Sequence, residues 1–194
     1  MKKPNFDSVI NRIDEINAED PNVTVFEGSN FPKELIYSRR MTEMLFQYEE
    51  QPSTELQIAC RGQHIKRWHI PRSEYPMDRP GYLKWRTMLK LFHGELLSEI
   101  MTDEGFDQSS IDQVILLVTK KKLKSDMESK KLEDIACLVF LQYYFAEFAS
   151  QHPEDKIIDI VQKTWIKMTE KGPEMALKLD LGEKELKLVK KALA

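Results

Sequence analysis

Apolar residues recur at helical spacing along almost the whole of this 194-residue chain, and that period decides the fold class. Between Asp7 and Ile16, the side chains of Val9, Ile10, Ile13 and Ile16 share one face, and Asp20, Pro21 and Asn22 end the helix. Val23–Phe26 is the one stretch that reads as a strand, short and alone. Asn30 to Glu34 starts the next helix, with Asn30 as cap and Pro32 in the first turn. It runs to about Tyr48 with Leu35, Ile36, Met41, Met44 and Leu45 inward. Ser53, Thr54 and Glu55 open a third, which reaches Trp68 through Leu56, Ala59, Cys60 and His64. Gly81–Ile100, Ile111–Lys121, Leu132–Ser150, Pro153–Met168 and Gly182–Ala194 complete the set, Ile111–Lys121 starting from a cap-like Ser109–Asp112. Leu132–Ser150 is apolar on nearly all sides and is expected to be the central buried helix. Only 7 residues are glycine, about half the usual share, which argues against a barrel, a sandwich or a Gly-rich phosphate loop and for helices. The expectation is an all-α protein: one helical domain over 31–194, with residues 1–30 attached as a helix and a short extended piece.

Pro71, Pro76 and Pro80 forbid a regular element, so His69–Pro80 reads as a proline-pinned loop between two helices. The two cysteines, Cys60 and Cys137, sit in apolar helical stretches and read as buried thiols in a reducing compartment. The N-terminal lysines have no apolar segment behind them, so the start is not a signal peptide. Ile135–Ala149 is too short to cross a bilayer. A cytoplasmic protein with no membrane partner is expected.

Charge is where the sequence speaks about function. The chain totals −3, yet residues 61–93 hold eight Lys or Arg against two acids, a local +6. Arg61, Arg67, Arg72, Arg79 and Arg86 interleave there with Trp68, Tyr75, Tyr82 and Trp85. Guanidinium groups bind phosphate oxygens bidentately and flat rings stack, so the combination suits a phosphorylated or nucleotide-like anion. Five arginines around one stiff loop repel each other without anionic partners. The competing reading has arginine stems covering apolar surface and pairing with acidic helices. His64 falls on the inward face of its helix, His93 shares a face with Arg86, and Asp134 opens the most apolar helix. His69 and His152 read as surface residues.

These residues also carry a resemblance. The chain resembles the HD-domain phosphohydrolases, all-helical proteins marked by a His, a later His-Asp dyad and a distant Asp. Tyr37 stands at the first histidine's place, Gln63 and His64 at the dyad, Asp134 at the final Asp, and His93 where some members add a histidine. The resemblance implies an HD-like bundle with a degenerate metal signature. It makes His64, His93 and Asp134 the candidate catalytic residues and candidate ligands of one divalent metal. Over nearly all of its length from Pro32 the chain is more closely similar to an uncharacterised family, a domain of unknown function. Its hallmark runs through Gln63, His64, Arg67, Trp68, Pro71, Arg72, Tyr75 and Pro76, then Gly81, Tyr82, Trp85 and Arg86, then Leu132–Phe140. Members often carry an automatic label of glutamyl-tRNA synthetase. A class I synthetase needs a nucleotide-binding α/β domain, for which this chain has neither strands nor length.

The sequence therefore predicts an anion pocket lined by Arg61, Arg67, Arg72, Tyr75, Arg79, Tyr82, Trp85 and Arg86, with possible phosphoester hydrolysis. A binding module without turnover, or an RNA-binding protein in which the basic segment tracks phosphates, are the alternatives. A sequence pI of about 5.9 with the cations in one stretch favours a pocket over an extended groove.

Overall fold

The helical period becomes ten α-helices in a computed structural model that describes residues 3–123 and 125–194. The chain divides into two compact units, residues 1–129 and 130–194. The first holds α1 (Phe6–Ala18), β1 (Val23–Phe26), β2 (Ser29–Pro32), α2 (Lys33–Tyr48), α3 (Thr54–Gly62), α4 (Arg79–Asp103) and α5 (Gln108–Thr119). The boundary falls inside α6 (Met127–Tyr143).

Val9 and Ile13 of α1 are fully buried, and α1 packs on α2 and α3, so this N-terminal helix contributes to the core of the unit. The strand expected to be alone has a partner. β1 pairs antiparallel with β2, Val23 opposite Pro32 and Phe26 opposite Ser29. Glu27 and Gly28 make the turn with φ of 49° and 76°, the paired positive φ that a tight two-residue hairpin demands. Asn30 therefore lies in a strand opposite Val25 instead of capping a helix, and α2 starts after Pro32. Its first turn is capped from a distance: the Glu34 N–H donates to Asp20 Oδ2 at 3.0 Å, and the Lys33 N–H to the Asn22 carbonyl at 2.9 Å.

α3 stops at Gly62, short of the expected Trp68. Lys66 turns left-handed at φ 51°, with its N–H held by Asn17 Oδ1 at 3.1 Å, and Arg67–His69 and Arg72–Glu74 follow as single 3-10 turns. Gly62 is needed at the turn, because a Cβ there would lie 2.5 Å from Leu97 of α4. This close approach sets the end of α3 against the middle of α4. α4 is capped by Asp78, whose carboxylate accepts the Gly81 N–H at 2.7 Å. It buries Trp85, Leu89, His93, Leu97, Ile100 and Met101, while Phe92 and Leu96 are only half-buried. α5 starts on Asp107, one turn before the expected cap, and packs on α3 and α4.

In the second unit the expected Leu132–Ser150 helix is broken. α6 ends at Tyr143, Tyr144 leaves the helical region, and α7 (Phe145–Ser150) follows. α7 and α10 (Glu183–Leu193) pack on α8 (Glu154–Lys167), and Ile157 and Val161 of α8 and Val189 and Ala192 of α10 are buried. α9 (Lys171–Ala176) was not expected. Cys60 and Cys137 are both buried and no disulfide joins them. Among the described residues, no helix is long and apolar enough to cross a membrane.

Candidate functional site

Where α3 ends against α4, His64 and His93 face each other with ring centroids 6.2 Å apart. They line a pocket with Gln63, Arg67, Arg86, Leu89, Lys90, Val118 and Lys120, and none of these lining residues is acidic. The pocket is small and partly open to solvent, and its cations suit the oxygens of a small anionic group. Lys120 reaches the pocket from the C-cap of α5, where its backbone is left-handed at φ 58°. Glycine normally takes such a position, because a Cβ there costs about 1–2 kcal/mol.

His64 sits between a carboxylate and a guanidinium. Its Nδ1 lies 3.3 Å from Glu34 Oε2, and its Nε2 accepts a hydrogen bond from Arg67 Nη1 at 2.9 Å. An accepting Nε2 places the proton on Nδ1, toward the carboxylate. Burial, then the positive charges of Arg67, Lys120, Arg86 and Lys33, hold its pKa well below the ordinary histidine value. Tyr37 stacks on the ring at 4.1 Å. His93 is 2% exposed, and neither ring nitrogen makes a hydrogen bond. Burial first, then His64 and Arg67, push its pKa down to about 3, against smaller upward pulls from the Ile65 carbonyl and Glu34. Glu34 is buried and shifted upward by that burial, partly offset by Arg67, Lys33 and His93. The pocket is thus two neutral imidazoles under a positive field.

Arg67 also faces a larger groove on its other side, lined by Pro21, Asn22, Lys33, Glu34, Trp68, Ile70, Pro71, Arg72 and Trp85. Its guanidinium lies 4.9 Å above the Trp85 ring, and the Trp85 indole donates to the Ile70 carbonyl at 2.8 Å.

The structure divides the expected arginines by their partners. Arg67 and Arg86 line the pocket, Arg86 also packing over Tyr82 at 5.7 Å. Arg61 does not join them. Its Nε and Nη2 grip the Asp14 carboxylate at 2.7 and 2.5 Å, and Nη1 reaches Thr42 at 3.2 Å, tying α3 to α1 and α2. Arg72 donates to the carbonyls of Tyr75, Pro76 and Asp78 at 2.9, 2.7 and 3.3 Å. Prolines have no N–H to offer such a loop, so the guanidinium supplies the donors its carbonyls lack. Arg79 and Tyr82 are exposed on α4, Tyr75 is half-buried in the loop, and none of the three lines either cavity, whereas Trp85 walls the groove.

Asp134 belongs to the second unit and has its own partners there: Thr169 donates its N–H to Oδ1 at 2.8 Å and its hydroxyl to Oδ2. Among the described residues, no group of three or more His, Cys, Asp or Glu is arranged to hold a metal ion. Four cations line the pocket and repel a divalent cation, and Gln63 supplies no charge to offset them. The metal ligation expected of His64, His93 and Asp134 does not fit this donor set. Gln63, Lys90 and Lys120 also line the pocket, where they were not expected, with Glu34 beside His64.

No curated protein and no solved structure matches the chain. A family model, Domain of unknown function (DUF4202), matches residues 7–189. The chain belongs to that family.

Proposed function

We propose that the protein binds a phosphorylated, nucleotide-like small molecule. Its phosphoryl group enters the pocket at His64 and His93, and its flat part lies in the adjoining groove against Trp68 and Trp85. One observation carries this reading: Arg67, Arg86, Lys90 and Lys120 gather around a small cavity whose lining contains no carboxylate. A charge-assisted hydrogen bond from such a cation to an anion contributes about 1.5–3 kcal/mol. Arg67, shared by pocket and groove, links the two parts of the ligand.

Hydrolysis of a phosphoester by a divergent HD-like site is the second reading. The position of His64 between Tyr37 and Glu34 favours it. A neutral imidazole with its Nδ1 toward a carboxylate is the arrangement of a general base, available once Arg67 turns from Nε2 to the anion. RNA binding is the least supported, since cations enclosing a cavity do not track a polymer backbone.

A thermal-shift panel of nucleotides, phosphorylated metabolites and inorganic phosphate, followed by phosphate-release assays, tests these readings. Stabilisation by phosphorylated ligands that disappears in Arg67→Ala supports the pocket, and phosphate release lost in Glu34→Gln adds hydrolysis. If no phosphorylated compound shifts the melting of the wild type, the proposal fails. A steep salt dependence with RNA and no response to mononucleotides would favour the polymer.

A further inference from the structure

The pocket walls contain acceptors as well as cations, and a bare anion cannot satisfy them. Gln63 is 8% exposed and its Oε1 has no hydrogen-bond donor. His93 is 2% exposed with both ring nitrogens unbonded. A neutral imidazole always presents one N–H and one lone pair, whichever tautomer it adopts. An unsatisfied buried acceptor is costly, and a fully deprotonated oxygen set against it is repelled. The group that satisfies cations and acceptors together has anionic oxygens and one hydroxyl hydrogen.

We propose that the pocket selects an oxyanion that carries its own hydrogen, inorganic phosphate or a phosphomonoester bound as its monoanion, over sulfate and over phosphodiesters. The P–OH donates to Gln63 Oε1 or His93, while the charged oxygens accept from Arg67, Arg86 and the two lysines. Sulfate and dimethyl phosphate have the charge but no hydrogen to give near neutral pH. This inference rests on the reading that the pocket holds an anion. It narrows that reading to a terminal phosphoryl group and sets a nucleic-acid backbone aside.

Isothermal titration of the full chain with inorganic phosphate, methyl phosphate, sulfate and dimethyl phosphate at pH 6 and 7.5 provides the test. Phosphate is expected to bind at least about tenfold more tightly than sulfate or dimethyl phosphate, the discrimination of a site built around a donated hydrogen. Methyl phosphate loses its last proton near pH 6. Its affinity is therefore expected to rise from pH 7.5 to 6 by more than that of sulfate, which reports any titration of the protein itself. His93→Phe and, independently, Gln63→Met are each expected to reduce the phosphate-to-sulfate ratio while sulfate still binds. Equal affinity for phosphate and sulfate in the wild type would overturn the selectivity and leave the anion pocket standing. Failure of all four probes to bind would overturn both.

Discussion

Replacing Arg61 with alanine is expected to destabilise the fold by about 2–3 kcal/mol and to leave anion binding unchanged. Arg61 makes two short bonds to Asp14 and one to Thr42, with side-chain exposures of 11% for Arg61 and 24% for Asp14. Fully exposed pairs contribute roughly 0–1 kcal/mol, and breaking a buried pair costs about 3–5 kcal/mol because one charge stays behind without a partner. A pair this shielded but still wetted falls between those limits. In a chain of this size 2–3 kcal/mol lowers the melting temperature by roughly 4–12 °C. Urea denaturation measures the first quantity, and titration with inorganic phosphate measures the affinity. Asp14→Ala and the double variant are expected to cost about as much as Arg61→Ala, since both remove one interaction. Arg86→Ala is expected to behave in the opposite way, with a small stability change and weakened phosphate binding. An Arg61→Ala protein of unchanged stability that no longer binds phosphate would refute the division of arginines by their partners.

Three further outcomes follow from the geometry. His93 titrates at about 3 when folded against an ordinary value of 6.5, so the unfolded chain binds more protons between those values and stability falls as pH drops from about 6.5. The limb should steepen toward about 1.4 kcal/mol per pH unit for each histidine kept neutral, and His64, lowered in the same direction, adds to it. Glu34 works the other way above its ordinary value, because a raised pKa makes the unfolded chain lose protons first; flat urea midpoints from pH 6.5 to 5 would contradict the burial of both rings. Gly81→Ala places a Cβ 2.1 Å from the Pro76 carbonyl oxygen, which is backbone and cannot step aside, so a loss of about 1–3 kcal/mol and a displaced loop are expected by denaturation. Thr169→Val removes the hydroxyl donor to the fully buried Asp134 carboxylate and should cost about 1–3 kcal/mol, and a neutral result would show that Asp134 does not depend on it.

Much of the fold was legible because helices announce themselves by period. Leu35, Ile36, Met41, Met44 and Leu45 all point inward as spaced. What escaped was decided by groups distant in sequence. Asn30 looks like a cap until β1 pairs with it, and the true cap for that helix comes from Asp20. The end of α3 depends on Asn17 holding Lys66. The basic segment was visible as a run, but a run does not say which arginine meets Asp14 and which meets solvent. His64 and His93 were legible as inward histidines on two helices. Glu34 and Lys120 were not, since only the packing of α2, α3, α4 and α5 brings them there. Asp134 was singled out by its apolar helix and by the resemblance, whereas its partner Thr169, 35 residues on, had no signal in the sequence.

The central claim, a phosphoryl site between His64 and His93, is tested most directly by following the ring nitrogens of the four histidines by NMR as inorganic phosphate is added. The account expects the His64 and His93 signals to move together and saturate, while those of His69, stacked on Phe92, and His152, stacked on Phe148, stay in place. No saturable change at His64 and His93, or the same drift in all four, would contradict it.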